Sequence, residues 1–282
     1  MTTTETLKNI KCIITDIDGT LLDDKGESVA ESKKLMKELM QQGVIFALAT
    51  GRLHSATTEL AEELSLSGYI ISLDGAVIFD YQNDKTLFKS HLSNRHIKKA
   101  ISISENLLVH MVLCHSSSIY FTEYNSVIPT LLSKYGAIYT QVDSYEDYID
   151  GTLEVVCASD MKNSIKQMEE KFNFPYTLGC NTTYFRSKKN ENIFYLEIRK
   201  AGSSKGKAVR RLLKHLSVNQ RNAAVIGDWY NDITMFQTKA VKVAVANAIP
   251  ELLNAADIVT KKSNNEDGIA EFFESVLKSK RN

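Results

Sequence analysis

The residues of this chain that can do chemistry start with two carboxylates two positions apart. Asp16 and Asp18 close the apolar run of "KCIITDIDGTLLDD", residues 11–24. Asp16, at the end of a strand, can act as a carboxylate nucleophile that forms a covalent intermediate. Asp18, two residues on and therefore on the same side of an extended chain, can give a proton to a leaving oxygen and later take one from water. Gly19 permits a tight turn that brings backbone N–H groups close to a bound oxyanion. A carboxylate that attacks an anionic phosphate is repelled, so the chemistry requires cations. "GDWYND" supplies Asp228 and Asp232, and with Asp16 they form an all-oxygen set that suits a partly hydrated Mg²⁺. Lys205 falls in the first turn of a helix with Ser204 as its cap, where the ammonium and the helix N-terminus both face an anion. Thr50 offers a hydroxyl and an N–H as further donors.

Each piece has a plainer reading when taken alone. Asp-x-Asp-Gly can be turn punctuation with solvated carboxylates. Lys205 can be a solvated helix-start lysine, Thr50-Gly51-Arg52 a simple strand exit, and the Asp228–Asp232 stretch a helix cap. Together, and in this order along the chain, they point to one site.

The elements that must position these groups alternate. "CIIT" is a strand. A helix follows, with a capping box from Ser28 and Glu31, apolar Val29, Leu35, Met36, Leu39 and Met40 on one face, and Gly43 as its stop. "VIFALAT", residues 44–50, reads as a strand buried on both faces. A helix over residues 54–64 and a strand "YIIS" at 69–72 complete a β-α-β-α-β run, which implies parallel strands with helices on both faces. Ligands of such sheets bind beyond the carboxyl ends of the strands. Asp16, Asp18, Thr50 and Asp74 all fall there. "VIFDYQNDKTLFKS" reads as a hairpin around Asn83-Asp84, and residues 85–192 then mix short strands and helices. Most of the twelve tyrosines lie in this middle stretch; a substrate-facing surface and simple strand propensity explain them about equally. From residue 203 the alternation resumes with "SSKGKAVRRLLKHL", "AAVIGD" (223–228), a helix near 232–237, "VKVAVANA" and "ADIV".

Bulk properties exclude several classes. Of 282 residues, 34 are Lys or Arg and 34 Asp or Glu, so the formal net charge is zero. No field draws the chain to nucleic acid or an anionic membrane. No apolar stretch approaches the roughly 20 residues of a membrane span, and the N-terminus has no signal core. Cys12, Cys114, Cys157 and Cys180 are scattered and read as buried free thiols, and the six histidines form no ligand pattern. A cytoplasmic protein acting as a monomer or homodimer is expected.

At this point the chain resembles the haloacid dehalogenase superfamily. "DIDGTLL", "ATGR", "SSKGKAV" and "GDWYND" are similar to its four motifs, and "VANAIPELLNAADIVTKKSNNEDGIAEFF" is similar to the C-terminal signature of its Cof-like subclass, type IIB. The resemblance implies an α/β fold: a Rossmann-like parallel-sheet core from residues 1–84 and 193–282, with an inserted α+β cap over 85–192. It implies an Mg²⁺-dependent phosphohydrolase of small phosphorylated metabolites, sugar phosphates above all, acting through an aspartyl-phosphate. Asp16 would be the nucleophile and Asp18 the general acid/base. Thr50, Gly51, Lys205 and Asn231 would bind phosphate or substrate. Asp16, the Asp18 carbonyl and Asp228 would hold the metal, with Asp232 supporting and Asn247 bracing that face. Three positions depart from the pattern. Asp74 stands where an Asn is usual, Ala246 replaces a Gly, and Trp229 is bulky; it packs either under the cap or in the core. A carboxylate at position 74 is unfavourable near a phosphate unless it points away or meets a hydroxyl or amine of the substrate. Phosphotransfer within a sugar, or a silent protein of the same fold, are the alternatives.

Overall fold

The computed structural model describes residues 4–28, 30–123, 138–187 and 192–281. Val29 on the expected helix face and Tyr124 and Tyr135 of the middle stretch lie outside the described residues. The chain divides into two compact units. One comprises Met1–Gly51, Glu59–Leu87 and Ser204–Asn282, the other Arg52–Thr58 and Phe88–Ser203.

The first unit is built on an eight-stranded sheet. Its strands are β1 (Cys12–Thr15), β2 (Ile45–Ala49), β3 (Tyr69–Ser72), β4 (Val77–Asp80), β5 (Lys85–Lys89), β12 (Ala223–Gly227), β13 (Val241–Ala244) and β14 (Ile258–Val259), and the order is β14-β13-β12-β1-β2-β3-β4-β5. From β14 to β3 every pairing is parallel, and β4 returns antiparallel to β3. β1 is buried along its whole length, from Cys12 to Thr15, because both faces are covered. On one face Ile13, Phe46 and Ile226 pack with Phe272 and Phe273 of the helix Gly268–Arg281 and Met36 and Leu39 of the helix Ala30–Gln41. The rings of Phe46 and Phe273 meet edge to face, 5.5 Å apart.

The helix Ala30–Gln41 starts differently from the sequence expectation. The Ser28 hydroxyl donates to Glu63 rather than capping the helix, and the Ser32 N–H donates to the Asp267 carboxylate at 2.9 Å. A cap supplied from 235 residues away satisfies the free N–H as well as a local one would.

The second unit holds a six-stranded sheet: β6 (His110–Cys114), β7 (Ser118–Phe121), β8 (Ile138–Gln141), β9 (Glu154–Ser159), β10 (Cys180–Arg186) and β11 (Phe194–Lys200), ordered β10-β11-β9-β6-β7-β8. It is antiparallel except for β7 with β8. Val155, Cys157, Leu196 and Ile198 pack with Ile97 of the helix Asn94–Leu107 and with Ile165, Met168 and Phe172 of the helix Lys162–Phe172. The alternate residues Glu154, Glu197 and Arg199 are buried charges, with the Arg199 guanidinium paired to both carboxylates. β11 belongs to this sheet, so the second unit runs on to Ser203, past the break at 192 drawn from sequence. All four cysteines are free, three buried and Cys180 half-buried. Among the described residues no helix is long and apolar enough to cross a membrane.

Candidate active site

The site grows from the carboxyl ends of β1 and β12. The Asp16 N–H donates to the Ile226 carbonyl at 2.9 Å, which carries the parallel pairing one residue past β1 and fixes Asp16 at the sheet's edge. Beyond it the chain turns sharply, with the N–H groups of Leu21 and Leu22 both donating to the Ile17 carbonyl. Strand alternation therefore stops at Thr15. Asp16 is buried, and Asp18 is exposed on the turn that follows.

Gly19 adopts φ +80°, and a Cβ there would stand 2.6 Å from Asp228 Oδ2. Only glycine lets the turn approach that carboxylate so closely. Thr20 then donates its hydroxyl to Asp228 Oδ1 at 2.9 Å. From the other side Asn247 donates to the Gly19 carbonyl at 2.7 Å and accepts the Asn264 N–H at 2.8 Å. The turn after β1 is thus held by residues more than two hundred positions away.

Asp16, Asp228 and Asp232, all buried, bring carboxylate oxygens within 4.8 Å of one another; among the described residues they are the group able to hold a metal ion. Asp18 adds no carboxylate to it. Lys205 lies between them, fully buried, at 2.5 Å from Asp16 Oδ1 and 2.7 Å from Asp232 Oδ1. Ser204 caps its helix, Lys205–His215, by accepting the Lys207 N–H at 3.3 Å. Asp232 uses its second oxygen to accept the N–H groups of Asp228 at 3.0 Å and Trp229 at 3.1 Å. The helix start is pressed against its neighbours. A Cβ on Gly206 would fall 1.8 Å from the Thr234 carbonyl oxygen, and one on Gly75 would fall 2.5 Å from that of Ser204.

β2 and β3 contribute the remaining wall. The Thr50 N–H donates to the Ile71 carbonyl at 2.8 Å, and the Thr50 carbonyl accepts the Asp74 N–H at 2.9 Å. A Cβ on Gly51 would lie 3.5 Å from the Asp74 carboxylate. That carboxylate accepts the Asn231 amide at 2.9 Å, so the extra acid is engaged by a side chain of the protein itself.

The electrostatics follow from burial. Loss of water pushes the Asp16 carboxyl well above the ordinary range; Asp232 adds repulsion, Lys205 pulls the other way, and Asp228 adds more repulsion. Burial would also strip the charge from Lys205, but Asp16, Asp232 and Asp74 outweigh it and hold the ammonium above its usual range. We take Lys205 as the fixed cation because it makes two short ion pairs. The push on Asp16 is then first the loss of water on burial, to which the repulsion of Asp232 and Asp228 adds.

The structure therefore gathers Asp16, Asp228, Asp232 and Lys205 into one network, sets Thr50, Gly51, Asp74 and Asn231 along β2, β3 and β12, and leaves Asp18 exposed on the turn. Sequence reasoning passed over Thr20, although its place directly after Asp-x-Asp-Gly was a signal.

Residues 13–273 match the sequence profile of the haloacid dehalogenase-like hydrolases. The chain belongs to that family and is an enzyme of the phosphatase class. It is similar to the Bacillus subtilis protein YxeH, 30% identical over 286 residues covering 96% of this chain and 99% of YxeH. It is also similar to the B. subtilis 5-amino-6-(5-phospho-D-ribitylamino)uracil phosphatase YwtE, 27% identical over 306 residues, 95% of this chain and 98% of that protein. A haloacid dehalogenase-like hydrolase from Bacteroides thetaiotaomicron superposes with a TM-score of 0.85 over 95% of this chain and 99% of its own, at 23% identity, which is a likeness of fold.

Proposed function

We propose that this enzyme is an Mg²⁺-dependent phosphohydrolase of small phosphorylated metabolites whose phosphate is carried on a sugar or sugar-alcohol carbon. The observation that carries the reading is a cluster of three buried carboxylates, two of them paired to one buried lysine. An all-oxygen donor set with excess negative charge fits a hard divalent cation. Asp232 spends its oxygens on Lys205 and two backbone N–H groups, so Asp16 and Asp228 are the carboxylates that would hold the ion, with the Asp18 carbonyl beside them. When bound, Mg²⁺ supplies positive charge that lowers the repulsion between Asp16 and a phosphate dianion.

The chain's own residues do the rest. The Asp16 carboxylate attacks phosphorus, the ester P–O bond breaks, and an aspartyl-phosphate and an alkoxide leaving group form. Asp18, exposed on the turn after β1, protonates that leaving oxygen. It then takes a proton from the water that hydrolyses the aspartyl-phosphate to Asp16 and inorganic phosphate. Lys205 holds Asp16 in place and balances its charge, while Thr50, Gly51 and Asn231 face the phosphate or the substrate. Asp74, held by Asn231, fixes the orientation of that amide. The unit Arg52–Thr58 with Phe88–Ser203 acts as the cap that selects the leaving group. The substrate in the name of YwtE, a uracil bearing a 5-phospho-D-ribitylamino group, has its phosphate on a sugar-alcohol chain, which agrees with this reading. The enzyme works in the cytoplasm as a monomer or homodimer.

The test is phosphate release from a panel of sugar phosphates, sugar-alcohol phosphates and nucleotides, with Mg²⁺ or with EDTA. Metal-dependent release from at least one member is expected. Release that persists undiminished in EDTA would overturn the metal's part, and release from none would overturn the substrate class.

A further inference from the structure

Two large aromatic side chains stand exposed directly beside the carboxylate network. Trp229 follows Asp228 and is 38% exposed; Tyr230 follows it and is 54% exposed. Their rings meet edge to face, with centroids 5.2 Å apart and planes at 79°. Neither serves the core, although they are bracketed by buried Asp228 and Asp232. The backbone that carries them is held firmly. The Trp229 N–H donates to Asp232, the Asp232 N–H donates to the Trp229 carbonyl at 2.9 Å, and Asn231 is tied to Asp74. Trp229 itself is extended, φ −125° and ψ 173°. In extended chain successive side chains point to opposite sides, so turning Asp228 inward toward Asp16 turns the indole outward.

Exposed Trp and Tyr rings on a fixed backbone carry a large apolar face at small cost in lost side-chain freedom, and such faces take planar partners. Every nucleobase has a π-face that stacks on an aromatic side chain with little regard to sequence. We infer that Trp229 and Tyr230 form a stacking corner for a planar heterocycle carried by the substrate's leaving group, making them specificity-determining residues for a nucleotide-like phosphomonoester. This inference rests on the phosphohydrolase reading for its substrate but not for its binding test. The phosphate end is held by Lys205, Thr50 and the cation, and the heterocycle lies against the aromatic corner. A sugar phosphate without a ring system gains nothing from it.

Trp229 is the only tryptophan of the chain, so its fluorescence reports on this corner alone. The Asp16→Asn variant, with Mg²⁺ present, is titrated with uridine 5′-monophosphate, adenosine 5′-monophosphate and flavin mononucleotide, and separately with ribose 5-phosphate. Affinity is read by calorimetry, and indole quenching is followed for the first two nucleotides and the ribose ester. At least one nucleotide is expected to bind more tightly than ribose 5-phosphate, on the order of tenfold, the scale of one base stacked on one aromatic side chain. Saturable quenching by a nucleotide with none by ribose 5-phosphate is expected beside it. Trp229→Ala is expected to remove that preference and Trp229→Phe to keep most of it, while Tyr230→Ala weakens it. In turnover by the parent enzyme the same change appears as a rise in KM for the nucleotide relative to ribose 5-phosphate. The inference is overturned if no nucleotide is preferred, or if Trp229→Ala leaves the preference intact. If a nucleotide binds and quenches but no ester is hydrolysed, the corner stands and the phosphohydrolase reading fails.

Discussion

Replacing Lys205 by Met is the sharpest test of the charge network, because it removes one charge and almost no volume. The ammonium is fully buried and lies 2.5 Å from Asp16 and 2.7 Å from Asp232. Met fills nearly the same space, so packing loss is small. What remains is a set of buried carboxylates with no cation among them. Removing one partner of a buried ion pair costs about 3–5 kcal/mol, since the other charge is left without compensation. Solvent screening does not soften this at a fully buried site. With unfolding transitions of larger domains moving by roughly 2–4 °C per kcal/mol, the midpoint in EDTA should fall by roughly 6–20 °C. Excess Mg²⁺ should recover part of the loss, because a divalent ion replaces the missing positive charge. Adding Asp232→Asn to Lys205→Met should also recover stability, since it deletes one of the orphaned charges while its amide oxygen can still accept the Asp228 and Trp229 N–H groups. Differential scanning calorimetry of the parent and both variants, in EDTA and in Mg²⁺, measures all of this. A Lys205→Met protein as stable as the parent in EDTA, or a double variant whose losses simply add, would refute the reasoning.

Three further outcomes follow from named contacts. Thr20→Val keeps shape but removes the hydroxyl that donates to Asp228, a bond to a charged group worth about 1.5–3 kcal/mol; Mg²⁺ affinity by calorimetry should fall on the order of 10- to 100-fold, as when a partner of a metal-ligating group is lost. Gly206→Ala puts a Cβ 1.8 Å from the Thr234 backbone oxygen, so the variant should be destabilised or fail to accumulate as soluble protein, while Gly26→Ala, with no heavy atom within 4 Å but φ +85°, should lose only about 1 kcal/mol from backbone strain. His115 titrates below its ordinary 6.5 because burial disfavours its charged ring, with further repulsion from His91 and Lys89 and a partial offset from its hydrogen bond to the Tyr148 carbonyl. Its folded pKa is depressed, so the unfolded chain takes the proton first and stability is lost as pH falls through 6.5 toward the folded value. Hydrogen exchange of β6 and β9 amides between pH 8 and 5 should show this loss in the parent and a flatter profile in His115→Gln.

Much of the first unit can be read from its residues. Unbroken apolar runs ending in acids announce β1 and β12, because a strand buried on both faces admits no polar alternation until it leaves the sheet. The carboxylates and Lys205 were legible as chemistry because they cluster at those strand ends. The supports of the site were not. The Ser28 and Glu31 pattern suggested a local cap, yet Asp267 supplies it, and no short window of sequence contains that partner. The same distance hides the brace from Asn247 to Gly19 and the pairing of Asp74 with Asn231, which turns an unwelcome extra carboxylate into an anchor. In the second unit, short strands of mixed direction carry little periodicity.

The central claim is that Asp16 becomes covalently phosphorylated. The most direct measurement is mass spectrometry of peptides from enzyme acid-quenched during turnover with Mg²⁺ and a substrate from the release panel. A phosphoryl adduct on the peptide bearing Asp16, lost on treatment with hydroxylamine and absent from Asp16→Asn along with phosphate release, is the predicted result. An Asp16→Asn enzyme that still releases phosphate at the parent rate, with no adduct trapped in either protein, would contradict the account.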